Sequence, residues 1–285
     1  MANYSFTMLE LPNYTALKTS LTSTVLFVTF HNPESPIINL WGRNTQSDLT
    51  DLIGRLEVDN ETKVVVFNSD VPGFFIAHLD PSILVEPNGP DIIYPFATLL
   101  HKITTLRQVT IGAIEGKARG AGAEFLEALD MRFATKTETL LSQPEVGVGL
   151  TPGGGGAQFL THLIGRGRAM EYILSSKDIN ADDAERIGWI NKAFETSADM
   201  YAYIEGLTSR IRLFPLNCLG ETKRLIDRAS APSFEDVKAE AEAFSRVVVQ
   251  PVTQQIQARS AEVISSIGLL DAELKLGELM PKFYE

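Results

Sequence analysis

Between Ile114 and Pro152 two carboxylates stand among small and apolar residues, and that stretch limits what the chain can become. Val109 to Ile114 has the apolar character of a buried strand. It runs into Glu115-Gly116-Lys117-Ala118-Arg119-Gly120-Ala121-Gly122-Ala123-Glu124-Phe125-Leu126, a small-residue turn that opens a short apolar helix. The second carboxylate, Glu145, follows Ser142-Gln143-Pro144, where proline fixes the backbone just before it. A carboxylate in such a setting has to be paired, hydrogen-bonded or shifted in pKa. Taken singly, Glu124 also fits a helix residue reaching solvent, and Glu145 an ordinary turn residue. Together, in adjacent strand-end segments beside Gly120 and Gly122, they point to acid/base chemistry. Small residues at a helix start let a ligand approach backbone N–H groups, the physical recipe for an oxyanion hole.

The rest of the chain supplies an α/β frame around this stretch. Thr24 to Phe30 is a β-rich run, and Leu49, Leu52, Ile53 and Leu56 recur at helical spacing. Lys63 to Phe67 is apolar without alternation, as in a strand buried on both faces. A Pro- and Gly-rich loop from Asp70 to Pro90 carries His78 and Asp80. Ile92, Ile93, Phe96, Leu99, Leu100, Ile103 and Leu106 then outline an amphipathic helix. Strand 109–115, helix 121–129 and strand 131–134 follow, and ligands in such layouts gather at the carboxyl ends of strands. Asn180 is placed to cap a helix that Gly188 ends, and 190–194 forms a last small strand. From about Ser197 the pattern is helical, with helix starts expected at Pro215, Pro232 and Pro251.

Composition excludes several function classes. The net charge of −11 argues against nucleic acid and anionic membranes as partners. No apolar run approaches the ~20 residues that span a bilayer. The N-terminal sequence has no secretory pattern, so a cytoplasmic location is expected. The single Cys218 allows no internal disulfide and is expected in the core. Pro152-Gly153-Gly154-Gly155-Gly156 lacks the Gly-Lys-Ser/Thr ending of a phosphate loop and is expected to be a flexible turn ahead of a helix. The four histidines, His31, His78, His101 and His162, are scattered, and His78-Leu79-Asp80 has no third ligand at a metal-site spacing, so no metal is expected. No Gly-x-Ser-x-Gly elbow is present.

The segments Phe74-Phe75-Ile76-Ala77-His78-Leu79-Asp80, Glu115 to Glu124, Gln143-Pro144-Glu145, Gly149-Leu150-Thr151-Pro152-Gly153 to Gln158 and Asn180 to Gly188 resemble, in order and spacing, the signature segments of the enoyl-CoA hydratase/isomerase (crotonase) family. The resemblance covers roughly residues 22 to 230. It implies an α/β fold, a crotonase-like spiral of ββα units over 1–200, followed by a helical C-terminal region over 201–285 for oligomerisation and active-site cover, with homotrimers or homohexamers as the assembly. It also implies catalytic roles for Glu124 and Glu145, which position a water and move its protons, and for the backbone N–H groups of Leu79 and Ala121, which stabilise a thioester enolate. Ala77, His78, Asp80, Gly120, Pro144 and Gly153 match substrate-binding positions. The expected partner is a small-molecule acyl thioester, with coenzyme A as part of the substrate and no separate cofactor.

Departures from the family pattern are specific. His78 stands where relatives usually have glycine, Ala121 replaces another glycine, and Glu34 falls where relatives often carry a basic residue near the CoA phosphates. The leading expectation is a lyase that adds or removes water across the α,β-double bond of an acyl thioester. A crotonase-fold isomerase, or a tailoring enzyme on a β-dicarbonyl or polyketide-like substrate, is the alternative. A non-catalytic crotonase-fold binding protein is the third reading, and retention of both glutamates argues against it.

Overall fold

The computed structural model describes residues 9–285. It opens with an antiparallel hairpin, β1 (Leu17–Thr22) and β2 (Val25–Phe30), in which Leu17 faces Phe30. Helix α1 (Arg43–Val58) leads to β3 (Val64–Ser69), parallel to β2. One theme then repeats: a long strand of the main sheet gives way to a three-residue strand in a second sheet. Thus β3 is followed by β4 (Phe74–Ile76), and α2 (Pro81–Leu84) and α3 (Ile93–Thr104) lead on. Next, β5 (Val109–Ile114) passes to β6 (Lys117–Arg119) and helix α4 (Ala121–Glu127). Last, β7 (Met131–Thr135) passes to β8 (Leu140–Ser142), a 3-10 turn (Glu145–Val148) and α5 (Gly156–Ile164).

Helix α6 (Arg166–Ser175), β9 (Ile179–Asn180), α7 (Ala181–Ile187) and β10 (Lys192–Phe194) close the two sheets, which run β1-β2-β3-β5-β7-β10 and β4-β6-β8-β9. This is the spiral of ββα units expected from the motif order. Helices α8 (Ser197–Ile211), α9 (Leu216–Ser230), α10 (Phe234–Val248), α11 (Pro251–Ile267), α12 (Leu269–Leu274) and α13 (Leu276–Leu279) form the C-terminal region, and a 3-10 turn (Met280–Tyr284) follows.

The run without alternation in β3 has a simple cause. Val65 and Phe67 face the main core, whereas Val64 and Val66 face a second cluster with Ile111, Phe133, Met200 and Ile204, where α8 covers the back of the sheet. In the main core the ring of Phe125 lies 5.3 Å from Phe30 and 5.0 Å from Phe67, both edge-on. Phe125 thereby fixes the rotation of α4, the helix that carries Glu124. Gly122 on the same helix lets α4 seat on β4, because a Cβ there would lie 2.2 Å from the carbonyl oxygen of Ile76.

Two expectations are corrected. Cys218 is exposed, not core: α9 buries only Leu216 and Lys223, so position 218 falls on its outer side. Strand β1 was not anticipated, because burial alternates along it and four of its six residues are polar.

Arg119, fully buried in β6, fastens the C-terminal region to the second sheet. Its Nε and Nη2 donate to Asp178 at 2.7 and 2.8 Å, and its Nη1 donates to the carbonyl oxygen of Glu273 in α12 at 2.8 Å. Removing one side of such a pair leaves a poorly solvated charge and an orphaned carbonyl. Arg119→Ala is expected to lower the unfolding free energy by about 3 kcal/mol in a urea titration. A change under about 0.5 kcal/mol would show that the clamp carries no stability.

Candidate active site

The parallel pairing of β6 with β8 sets Arg119 beside Ser142 and so brings the two glutamate segments together. Glu124 lies one turn into α4 and Glu145 opens the 3-10 turn after β8. Both are buried, and both line a cavity of about 120 Å³. His78, Leu79, Ala121, Pro144 and Gly153 line it as well, while Phe96, Ile93, Leu150 and Phe244 supply an apolar wall. Asp80 instead caps α2 through Ser82 N–H at 2.9 Å, and Ala77 is fully buried among Ile38, Val71 and Phe74. Gly120 sits at φ +47°, and a Cβ there would meet Glu145 Oε1 at 2.6 Å, so glycine gives that carboxylate its space.

The expected flexible turn is a built feature. Gly153, Gly154 and Gly156 donate their N–H groups to Glu124 Oε1 at 3.1, 2.7 and 3.1 Å. Residues with no Cβ let the backbone close on the carboxylate: a Cβ on Gly154 would lie 3.0 Å from Glu124 Oε2 and 2.2 Å from the Phe96 ring.

The two glutamates therefore sit in unequal surroundings. Burial raises the pKa of Glu124, but the three glycine N–H groups stabilise its charge and oppose the shift. Burial drives Glu145 well above the ordinary carboxylate range, the Glu124 charge adds to that, and its Oε2 has no hydrogen-bond partner among the described residues. Of the pair, Glu124 is therefore the better placed to carry the charge and Glu145 the better placed to hold the proton.

Backbone geometry aims the N–H groups. Trp41 N–H donates to the His78 carbonyl at 2.8 Å, and Asp80 N–H donates to the Trp41 carbonyl at 3.0 Å. Because a trans peptide holds its C=O and N–H in opposite directions, fixing His78 O turns Leu79 N–H to the other side. Neither Leu79 N–H nor Ala121 N–H donates to a protein acceptor among the described residues.

His78 forms a pair absent from the sequence reading. Its Nδ1 meets the Leu79 carbonyl at 2.7 Å, where only a protonated nitrogen can bond, and its Nε2 meets Glu273 Oε1 at 3.0 Å. Burial works against a charged ring, but attraction to Glu273 and both hydrogen bonds hold the pKa above the ordinary histidine value. Glu240 was also missed. It belongs to the buried stripe Val237, Glu240, Ala241, Phe244 and Val248 of α10, so a glutamate at a core position of the helical period was the available signal. Among the described residues no cluster of side chains is arranged to hold a metal ion, and no helix is long and apolar enough to cross a membrane.

Residues 20–254 match the family model described as enoyl-CoA hydratase/isomerase. A short-chain-enoyl-CoA hydratase of Clostridium acetobutylicum is 34% identical over 61% of this chain and 66% of its own length. A crotonyl-CoA hydratase of Syntrophomonas wolfei is 30% identical over 55% of this chain and 62% of its own. Both matches thus span less than two thirds of those relatives. A crystal structure from Streptomyces avermitilis, described provisionally as an enoyl-CoA hydratase, superposes with a TM-score of 0.87 at 36% identity, covering 95% of this chain and 98% of that one.

The raised pKa of Glu145 has a consequence for stability. Its folded-state value lies above its unfolded value, so the folded protein holds the proton more tightly, and stability falls as pH rises from the ordinary carboxylate value through the raised one. Glu145→Gln, which cannot ionise, is expected to melt at a higher temperature than the parent at pH about 8, with the gap closing towards pH about 4.5. A gap independent of pH would mean that Glu145 is ionised in the fold throughout.

Proposed function

The chain belongs to the enoyl-CoA hydratase/isomerase family, and we propose that it is a hydratase-like lyase that adds water to, or removes it from, an α,β-unsaturated acyl thioester. The observation that carries this reading is the unequal pair of buried glutamates lining one cavity. Hydration needs a base for water, an acid for the α-carbon and a counter-charge for the thioester oxygen. In the proposed reaction the Glu124 carboxylate takes a proton from water as the water oxygen bonds to the β-carbon. Electron density moves through the double bond onto the thioester oxygen, which the N–H groups of Leu79 and Ala121 hold. The α-carbon then takes the proton of Glu145 as the enolate collapses. Glu124 ends protonated and Glu145 ionised, and proton exchange between the pair and water restores the starting state. One oxyanion donor contributes ~3 kcal/mol to such a step, and each acid or base about 10²–10⁴-fold.

The cavity of about 120 Å³ with its wall of Ile93, Phe96 and Phe244 supports a short, apolar acyl group. Coenzyme A is the carrier that family membership favours, and no further cofactor enters the chemistry. Phe244, Gln257, Ser260, Glu273 and Phe283 line the cavity from the C-terminal region, which supports its role as the site's cover. Assembly as a homotrimer or homohexamer is part of the same proposal.

Glu124→Gln and Glu145→Gln are each expected to cut turnover of a short enoyl-CoA by ~10²-fold or more, with the double variant little worse than the poorer single one. Loss of conjugated-thioester absorbance measures this. A silent Glu145→Gln or a silent Glu124→Gln would replace hydration by isomerisation, which needs one base and no water. The parent pH profile is expected to be bell-shaped, lost at low pH as Glu124 takes a proton and at high pH as Glu145 gives one up.

Phe244→Ala removes part of the apolar wall and is expected to shift preference towards longer acyl chains, read as the ratio of kcat/KM between long and short enoyl thioesters. An unchanged ratio would place the acyl end elsewhere.

A further inference from the structure

Six consecutive backbone N–H groups, Gly153 to Gln158, are divided between two buried carboxylates. Those of Gly153, Gly154 and Gly156 go to Glu124. Gly155 and Ala157 donate to Glu240 Oε1 at 3.1 and 3.2 Å, and Gln158 donates to Glu240 Oε2 at 3.2 Å. Glu240 reaches this turn from α10 in the C-terminal region, and no cation stands within ion-pair distance of it among the described residues.

We infer that Glu240 is a positioning residue for Glu124, holding the glycine turn from its far side so that the turn's remaining N–H groups converge on Glu124 Oε1. The inference rests on the hydratase reading, since Glu124 is the base there.

Flexibility is the first physical reason. Four glycines in a row have little conformational preference of their own, and Gly155 takes a φ of +112°. With one face of the turn bonded only to Glu124, the N–H of Gly155 would be a buried donor and those of 157 and 158 half-buried donors without protein partners, a cost that rotates or opens the turn. Bonding on both faces leaves the turn one arrangement. The two claims also interlock residue by residue: Gly155 N–H points to Glu240 between Gly154 and Gly156, which point to Glu124.

The second reason is that charge offers Glu240 no partner of its own. The groups that reach Glu240 are carboxylates: Glu124 and Glu127 from α4, and Glu145 from the 3-10 turn. On α3, packed along α10, His101 lies against Phe234 at the N-terminal end of α10. Burial, then repulsion from Glu124, pushes the Glu240 pKa up to about 8 against the pull of its three N–H donors. That value keeps Glu240 protonated over the acid range, so it acts on Glu124 by holding the turn and not by its charge.

A plain helix cap at α5 would stabilise the fold and leave the chemistry of a correctly folded molecule untouched. The variants Glu240→Gln and Glu240→Ala separate the roles. Glutamine keeps an acceptor for Gly155 and Ala157, whereas alanine keeps none. Glu240→Ala is expected to lower kcat roughly 10-fold or more while KM changes less than about threefold, and Glu240→Gln is expected to recover most of kcat. In Glu240→Ala the acid limb of the kcat profile is expected to move to higher pH, because Glu124 loses N–H donors that oppose the effect of burial, and in Glu240→Gln to stay near the parent's. If the alanine variant does not fold, Glu240→Asp, whose shorter side chain draws the acceptors back from the turn, decides by the same readouts: a kcat and an acid limb equal to the parent's overturn the inference. Equal kcat and equal profiles in folded alanine and parent proteins, with only the melting temperature lowered, would likewise overturn it and leave a cap. The carboxyl carbon of Glu124, followed by ¹³C NMR titration in the parent and in Glu240→Ala or Glu240→Asp, gives the same answer without turnover. A higher titration midpoint in the variant supports the inference even if no enoyl thioester proves to be a substrate, and an identical midpoint rejects it.

Discussion

A buried carboxylate held by backbone N–H groups is the interaction on which this site depends. Among the described residues no basic side chain hydrogen-bonds to Glu124; its Oε1 rests on three glycine N–H groups. A lysine or arginine there would deliver a full charge and pull a proton-accepting carboxylate towards inertness. Amide dipoles deliver partial charge, which opposes the rise that burial imposes on Glu124 and leaves it basic. Glu145, a few residues past β8, has only its own backbone N–H to set against burial and the Glu124 charge, and its pKa is driven well above the ordinary carboxylate range. The same amino acid thus has two opposite states, set by where glycines can bring the backbone.

The fold serves that contrast. Two short strands of the second sheet, β6 and β8, end side by side and deliver the two glutamate segments. Phe125 locks α4 into the aromatic core from one side while its neighbour Glu124 lines the cavity. Helix α10 then closes the arrangement with residues one turn apart, Glu240 on the glycine turn and Phe244 on the apolar wall. Arg119 ties β6 to the carbonyl of Glu273, whose carboxylate in turn pairs with His78 beside Leu79. The C-terminal helices are therefore fastened to the site at several polar points as well as by apolar packing.

Much of this was legible in the sequence because it is local. Continuous apolar runs marked β3 and β5, small residues marked the start of α4, and Asn180 and Gly188 bounded α7 as expected. Glu124 and Glu145 stood out because a carboxylate among glycines and apolar residues needs a reason. What was not legible depends on partners far away along the chain. Glu240 meets the glycine turn across more than eighty residues, and Glu273 meets His78 across 195. No local pattern announces either pairing, although the place of Glu240 in the apolar stripe of α10 signals burial. The glycine turn was misjudged for the same reason: four glycines alone imply freedom, and only two distant carboxylates remove it. Cys218 was misplaced because α9 buries little of its surface, which periodicity cannot reveal when the partner face is missing.

Neutron crystallography of the deuterated protein at neutral pD tests the central claim most directly, since it locates the exchangeable proton on each carboxyl. The account predicts a bare Glu124 carboxylate facing the three glycine N–D groups and a deuteron on Glu145. A deuteron on Glu124 with Glu145 bare would reverse the roles of acid and base and contradict it.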